Sequence, residues 1–419
     1  LSGRSAARSV TCWQTGRYDP DIEAVVMNFP ERFSNLPEYA FPRLRTLLDH
    51  HQPGGEVIHM TIGAPMHDFP AWVTDVITEN AAGFQGYPPN EGSPELRGAI
   101  TDWIMRRYGV AMDPDTNVMA LNGTREGLYN AAMALCPEQK NGQKPVILCP
   151  NPFYQVYMVA SISVSAEPVF VPATAATGHL PDYASLPEDV LNRTVAAYIC
   201  SPANPQGAVA SRDYWAGLIQ LAEKYDFRIF ADECYSEIYR DEAPTGALTV
   251  AQEMGADPER VVLFNSLSKR SNLAGLRSGL IASGPETIKR VRQLRNYAGA
   301  PLPLPLQAAA AKVWADEAHV VQNRALYQEK YTIADEIFSG VQGYMSPEAG
   351  FFLWLPVENG EETALKLWQE TGVRVLPGAY LSQGDPGHNP GAQFIRAALV
   401  APKTELQRGL ITLRDYIYL

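Results

Sequence analysis

An amine, a carboxylate, a phenol, an amide and a guanidinium recur in this 419-residue chain at the ends of short apolar runs. Lys269 closes Ser266-Leu267-Ser268-Lys269, directly after Val261-Val262-Leu263-Phe264-Asn265, and Arg277 lies eight residues further on. Phe227 to Ala231 leads into Asp232-Glu233-Cys234-Tyr235, and Val195 to Cys200 into Ser201-Pro202-Ala203-Asn204-Pro205-Gln206-Gly207. Runs of this length read as buried parallel strands, and open α/β sheets hold ligands beyond the carboxyl ends of such strands. Each fragment alone has a plainer explanation: a solvated lysine, a helix-capping aspartate, a half-buried tyrosine, an Asn-Pro turn. Together, in this order, they form the set that pyridoxal phosphate requires. That cofactor needs a lysine for a Schiff base and a carboxylate that keeps its ring nitrogen protonated, so that the ring stores electrons released at a substrate α-carbon.

On this reading Lys269 forms the Schiff base, Asp232 faces the ring nitrogen, and Tyr235 and Asn204 reach the ring oxygen. The phosphate falls to the guanidinium fork of Arg277 and the hydroxyl of Ser266. Free N–H groups of Thr124 and Arg125 add to these, at the start of the helix opened by Asn122-Gly123-Thr124-Arg125-Glu126-Gly127. Other phosphate and metal chemistries lack their motifs. No two glycines lie two positions apart, which removes G-x-G-x-x-G, and G-x-x-x-x-G-K-[ST] is absent. His50-His51 is the only close histidine pair and no H-E-x-x-H occurs, so no metal is expected.

The elements that must position these groups alternate as helix and strand from about residue 93 to 300, the pattern of a parallel sheet covered by helices. Ser93 and Pro94 open a helix whose face is Leu96, Ile100, Trp103 and Ile104, and Gly109 ends it. Pro145 to Cys149 and Pro168 to Val171 read as strands, with a helix over Phe153 to Ser161 between them. Ser211 caps a helix reaching Tyr225, and Pro285 starts another ending near Asn296. Pro301-Leu302-Pro303-Leu304-Pro305 breaks the pattern and marks entry to a second domain. There a helix spans Ala318 to Ser339, and Phe351–Leu355 and Phe394–Leu399 read as strands.

A chain of this length exceeds one compact core and implies two domains. Its formal net charge of -12, with no basic stripe, argues against nucleic-acid binding. No apolar stretch approaches the ~18 residues of a membrane span. Cys12, Cys136, Cys149, Cys200 and Cys234 are odd in number and unpaired in spacing, which suits a reducing cytoplasm. Residues 1–26 are expected to be a disordered or cloning-derived extension. Arg4, Arg8 and Arg17 without an acid in the first eighteen residues give it a faint transit-peptide character.

From about Asn28 to Leu413 the chain resembles the class I/II aminotransferases, fold-type I pyridoxal phosphate enzymes. The resemblance implies a mostly parallel seven-stranded sheet with helices on both faces in a large domain over 66–300. It also implies an arm and small-domain part over 27–65, and a smaller α+β domain over 301–419. It gives Lys269, Asp232 and Tyr235 as the catalytic groups and adds roles that spacing does not show. Tyr154 would stack on the ring, and Tyr87 would reach the phosphate of the neighbouring subunit in a homodimer with shared sites. Arg396 would clamp the substrate α-carboxylate, with Gly63 nearby. Within the class the likeness is greatest to N-succinyldiaminopimelate aminotransferases, carried by Phe41-Pro42-Arg43-Leu44-Arg45, Asp232 through Tyr239, Ser266 through Ser278, and Leu376-Pro377-Gly378-Ala379-Tyr380. Ala203, Gln206 and Ala298 depart from that pattern at the expected rim. The expected activity is transfer of an amino group between glutamate and a 2-oxo acid. Arg43, Arg292 and Arg295 are candidates for a distal carboxylate, in a wall built from Asn296 to Pro305 and the Gly63 and Tyr87 loops. A C–S β-lyase and an aspartate or aromatic aminotransferase share the scaffold. A non-enzymatic sensor domain would need a helix-turn-helix ahead of the fold, and no basic helix precedes residue 93.

Overall fold

Strands that are apolar on both faces must be covered on both faces, and the arrangement of helices here follows from that requirement. The computed structural model describes residues 30–419 apart from Asn35 and Pro386, so the expectations for residues 1–26 lie outside the described residues. In chain order the first elements are α1 (Ala40–Leu48), β1 (Ile58–His59), α2 (Trp72–Glu79), α3 (Pro94–Tyr108), β2 (Val118–Leu121), α4 (Thr124–Leu135), β3 (Val146–Asn151), α5 (Gln155–Ser163) and β4 (Glu167–Pro172). Next come α6 (Glu188–Arg193), β5 (Thr194–Cys200), α7 (Arg212–Tyr225), β6 (Arg228–Asp232), α8 (Ala247–Met254), β7 (Val261–Ser266), α9 (Leu267–Arg270), β8 (Gly279–Ala282) and α10 (Pro285–Arg295). The remainder is α11 (Leu304–Ala315), α12 (Ala318–Ile337), β9 (Phe352–Pro356), α13 (Gly360–Thr371), β10 (Val373–Arg374), β11 (Leu376–Pro377), β12 (Phe394–Ala398) and α14 (Lys403–Tyr418).

The large sheet has seven strands in the order β2-β8-β7-β6-β5-β3-β4, and β8 alone runs against its neighbours β2 and β7. Along β3, Val146 and Leu148 face one apolar core while Ile147 and Cys149 face the other. This two-sided burial is why the strands read as continuous apolar runs rather than alternating ones. Local signals set the helix ends. Ser93 Oγ accepts from Leu96 N at 3.2 Å, Ser211 Oγ from Tyr214 N at 3.1 Å, and Gly109 closes α3 with φ +69°.

A second core lies around the antiparallel β11-β12-β9 sheet, with Ile58 and Met60 joining Tyr327, Tyr331, Leu353, Ile395, Leu406 and Leu410. The proline-rich segment behaves differently from the expectation of a domain entry at 301. Pro303 precedes α11 and Pro305 stands in its first turn, where a missing N–H costs nothing. Ala309, Ala310, Val313 and Trp314 then bury themselves in the core of the large sheet, where α11 packs on α2 and α3. We therefore favour a division near Asp316, between α11 and α12.

Candidate active site

Three parallel strands end side by side, and their last residues open into one cavity of about 490 Å³. It is lined by Asp232 and Tyr235 from the end of β6, Asn204 after β5, and Ser266 and Lys269 at the β7–α9 junction. Thr124 and Arg125 reach it from the start of α4, Arg277 from the loop before β8, Tyr154 from before α5, and Arg396 from β12. Gly63 closes it from the stretch after β1. Gly123, the residue before α4, has φ +80° and lies so close to the Arg277 guanidinium that a Cβ would overlap it. Of the expected site residues, Tyr87 stands apart: it is fully exposed and does not line this chain's cavity.

Burial dominates the electrostatics. The Lys269 amine donates to Gly63 O and lies 5.4 Å from the centre of the Phe351 ring. Desolvation lowers its pKa to about 8, with the Arg396 and Arg277 cations pushing in the same direction. Asp232 is 6% exposed, accepts from the Tyr157 hydroxyl at 2.8 Å and is contacted by Cys234 N at 3.4 Å. Burial raises its pKa, and these hydrogen bonds oppose the rise. Arg396 donates to Asn204 Oδ1 at 2.9 Å and to Thr61 O at 2.8 Å, while its guanidinium lies 4.1 Å from the Phe352 ring centre. Desolvation brings it down to about 10. Asn204 is thus held by Arg396 while it lines the cavity. Arg277 adopts a left-handed backbone, φ +59°, and donates to Ala274 O at 2.8 Å and Asn122 O at 3.2 Å.

Among the described residues Asp232 has no cationic partner within ion-pair distance, and Arg277 and Arg396 have no carboxylate partner. A buried anion and a buried cation, Asp232 and Arg396, left without counter-ions are a poor way to stabilise a fold, and the exposed Arg277 adds a second unpaired cation at the cavity edge. They suit a ligand with a protonatable ring nitrogen, a dianionic phosphate and a carboxylate. Pyridoxal phosphate joined to an amino acid has that distribution of charge.

Sequence reasoning missed several contributors. Tyr157, one helical turn beyond Tyr154, is the hydroxyl on Asp232, and its ring stacks on Tyr198 at 4.4 Å. Cys234 Sγ sits 3.2 Å from Thr124 Oγ1 and 3.8 Å from Ser266 Oγ. Tyr39, Phe41, Ile62 and Phe352 complete the rim; of these, Phe41 stands in a stretch that carries the resemblance and Phe352 in an apolar strand, while Tyr39 and Ile62 carried no role. The expected distal cations are placed elsewhere. Arg43 pairs with Glu361 at 3.2 Å and stacks on Tyr380, Arg292 donates to Asp115 O at 2.8 Å, and the buried Arg295 pairs with Glu126. The expected wall from Asn296 to Pro305 does not line the cavity; Arg125 does, with Nε donating to the Tyr154 hydroxyl at 2.8 Å and Nη2 lying 3.5 Å from that of Tyr39.

Comparison with known proteins agrees with this geometry. The family model described as aminotransferase class I and II matches residues 55–408. An LL-diaminopimelate aminotransferase of Dehalococcoides mccartyi is 30% identical over 402 residues, covering 93% of this chain and 99% of the relative. One of Moorella thermoacetica is 30% identical over 399 residues, covering 93% and 98%. Among solved structures, an aminotransferase from Neisseria meningitidis superimposes with a TM-score of 0.87 at 36% identity, covering 92% of this chain and 99% of that one. The aminotransferase AspB from Helicobacter pylori gives 0.85 at 31% identity, covering 91% and 99%.

Proposed function

Because the chain belongs to the class I and II aminotransferases, which depend on pyridoxal phosphate, we propose that Lys269 is the lysine that binds the cofactor, that one substrate pair is glutamate and 2-oxoglutarate, and that the other is a diaminopimelate derivative and its 2-oxo acid. The observation that carries the site reading is the set of unpaired charges, Asp232, Arg277 and Arg396, around one partly neutral amine. When bound, pyridoxal phosphate supplies an electrophilic carbonyl and an electron-accepting ring.

Asp232, held by Tyr157, would face the ring nitrogen and favour its protonated form. Tyr235 and Asn204 would serve the ring oxygen, and Tyr154 would stack on the ring. Ser266, Arg277 and the Gly123-Thr124-Arg125 turn would take the phosphate, with the α4 dipole behind them. Arg396 orients the substrate α-carboxylate bidentately through the two nitrogens of its fork. Gly63 lets the Phe352 ring approach the backbone, since a Cβ there would come within 2.6 Å of Phe352 Cζ. Lys269, with a pKa near 8, is neutral often enough to act as a nucleophile and basic enough to carry a proton at the substrate Cα.

The substrate's far end is assigned to the side of the cavity lined by Tyr39, Phe41, Ile62 and Arg125. Asp232 is the one acid among the described cavity-lining residues. A distal carboxylate, as on glutamate or an N-succinyl group, therefore finds a cation, whereas a distal ammonium finds no carboxylate from this chain. This favours N-succinyl-LL-diaminopimelate over the free LL-diaminopimelate in the names of the relatives. Comparing kcat/KM for the two, and for aspartate and phenylalanine, tests it. A preference of more than about tenfold, or 1.4 kcal/mol, for any substrate other than the succinylated one would overturn the substrate while leaving the transaminase intact. The same proposal includes a cytoplasmic homodimer in which Tyr87 serves the neighbouring subunit. No helix among the described residues is long and apolar enough to cross a membrane.

A further inference from the structure

The turn that carries Lys269 rests on one face of α12. His319, Asn323 and Lys330 share that face by helical spacing. His319 Nε2 lies 2.8 Å from Ser271 Oγ, and its other ring nitrogen bonds Asp316. Asn323 is 5% exposed, and its Nδ2 donates to Lys269 O and to Arg270 O, each at 3.4 Å. Two carbonyl acceptors identify that end as the amide nitrogen. Its Oδ1 accepts from Asn272 Nδ2 at 3.2 Å and faces His67 Nδ1 at 2.9 Å. The proton of that last contact must then sit on His67 Nδ1, which leaves Nε2 as an acceptor. Lys330 Nζ approaches that Nε2 at 2.7 Å and also donates to Val400 O at 3.1 Å.

This continuous set of hydrogen bonds joins Val400, just after β12, through Lys330, His67 and Asn323 to the backbone of Lys269. His67 belongs to the stretch whose Thr61 O accepts from Arg396 and whose Gly63 O accepts from Lys269. Both reactive side chains and the turn behind one of them are thus referred to the same loop. Lys330 is 4% exposed and has no carboxylate partner among the described residues, which fold stability alone does not call for.

We propose that Asn323, oriented by His67 and Lys330, is a positioning residue that sets the Lys269 turn against the Gly63 loop. The proposal rests on Lys269 being the lysine that binds the cofactor, so borohydride reduction and peptide mapping of the wild-type holoenzyme come first. Cofactor fixed to another lysine would defeat that earlier reading rather than this one. The holoenzymes of Asn323→Ala, His67→Gln, His67→Phe and the exposed neighbour Gln322→Ala are then titrated by the visible absorbance of the bound cofactor. Asn323→Ala is expected to move the titration midpoint by about half a pH unit or more. It should also lower kcat about tenfold, with KM for glutamate within about twofold. His67→Phe should behave in the same way, whereas His67→Gln, which can still donate to Asn323, and Gln322→Ala should follow wild type. Wild-type midpoint and kcat in Asn323→Ala, with only a lower melting temperature, would reduce Asn323 to a packing residue and overturn the proposal. Should Asn323→Ala fail to fold, the two His67 variants are read by the same criterion.

Discussion

Asp232 and Glu233 follow one another at the end of β6, both buried, with different partners. Asp232 has the Tyr157 hydroxyl and opens on the cavity. Glu233 turns away from it, accepts from Ala247 N at 2.9 Å at the start of α8, and is pushed up to about 7, chiefly by desolvation. The variant Asp232→Asn keeps the shape and removes the charge, so kcat should fall by about a hundredfold or more with little change in melting temperature. A loss of stability without loss of turnover would reduce Asp232 to a turn residue. Glu233→Gln should act on stability instead. Its folded-state pKa lies above the ordinary value of 4.5, so the folded protein binds the proton more tightly than the unfolded chain. That contribution is complete below pH ~4.5 and is lost as pH rises through ~7, on the order of 3 kcal/mol. Denaturant unfolding at pH 5 and 8 should therefore show wild type losing stability relative to Glu233→Gln, and parallel behaviour would mean that Glu233 stays ionised throughout. For Lys269, lowered to about 8, capture of pyridoxal phosphate by the apoprotein should rise with pH and level off above that value. Lys269→Ala should leave no borohydride-fixed cofactor. Lys269, Asp232 and Asn204 were legible because their types recur just beyond strand ends, and Arg277 because it follows Lys269 at a short spacing. Tyr157 was not, since its hydroxyl meets Asp232 across 75 residues of sequence, and nothing local distinguishes it from a core tyrosine.

At the scale of elements, β3, β5, β6 and β7 were readable because burial on both faces leaves an unbroken apolar run. The strands β2 and β8, four residues each, are too short to show a period and are fixed by pairing with each other and with β7. Prolines at 301, 303 and 305 looked like a break because a proline run usually is one. Here the last two start α11, and only the tertiary packing of Val313 and Trp314 shows to which core it belongs. The junction between β2 and α4 joins element to site. Gly123 has φ +80° and ψ 156°, a region that side chains avoid at a cost of about 1–3 kcal/mol, and its missing Cβ leaves room for the Arg277 guanidinium. Gly123→Ala should therefore lower both melting temperature and cofactor affinity, the latter by about tenfold or more. Gly98→Ala, at a helix-interior position with open space around it, should leave cofactor affinity unchanged and raise the melting temperature slightly. Equilibrium titration of each apoprotein with cofactor checks this. Equal affinities would show that Arg277 does not need the place Gly123 leaves for it.

At the scale of the molecule, the segment around Tyr87 faces outward from the chain that carries it. Phe84, Tyr87 and Tyr297 are all exposed, and Asn90 Nδ2 donates to Asn296 Oδ1 at 3.1 Å, which holds the two segments together. Several large aromatic side chains exposed on linked segments mark an interaction surface more often than a free one. The proposed occupant is a second copy, with Tyr87 reaching the phosphate end of the neighbour's cavity. Complementation separates this from action within one chain. A Lys269→Ala protomer lacks the amine but keeps its Tyr87, and a Tyr87→Phe protomer keeps the amine but lacks the hydroxyl. In a mixed dimer with exchanged tyrosines, one cavity has neither group and the other has both. Random reassociation of equal amounts makes half the dimers mixed, so about a quarter of all cavities should be fully intact. Measured at limiting cofactor, where Tyr87→Phe is weakest, activity should rise above the mean of the two parents towards that fraction. It should stay at the mean if the subunits are mixed under conditions that prevent exchange. Activity at the mean despite verified exchange would place Tyr87 in its own chain's service or in none, and the exposed aromatic segment would then need another occupant.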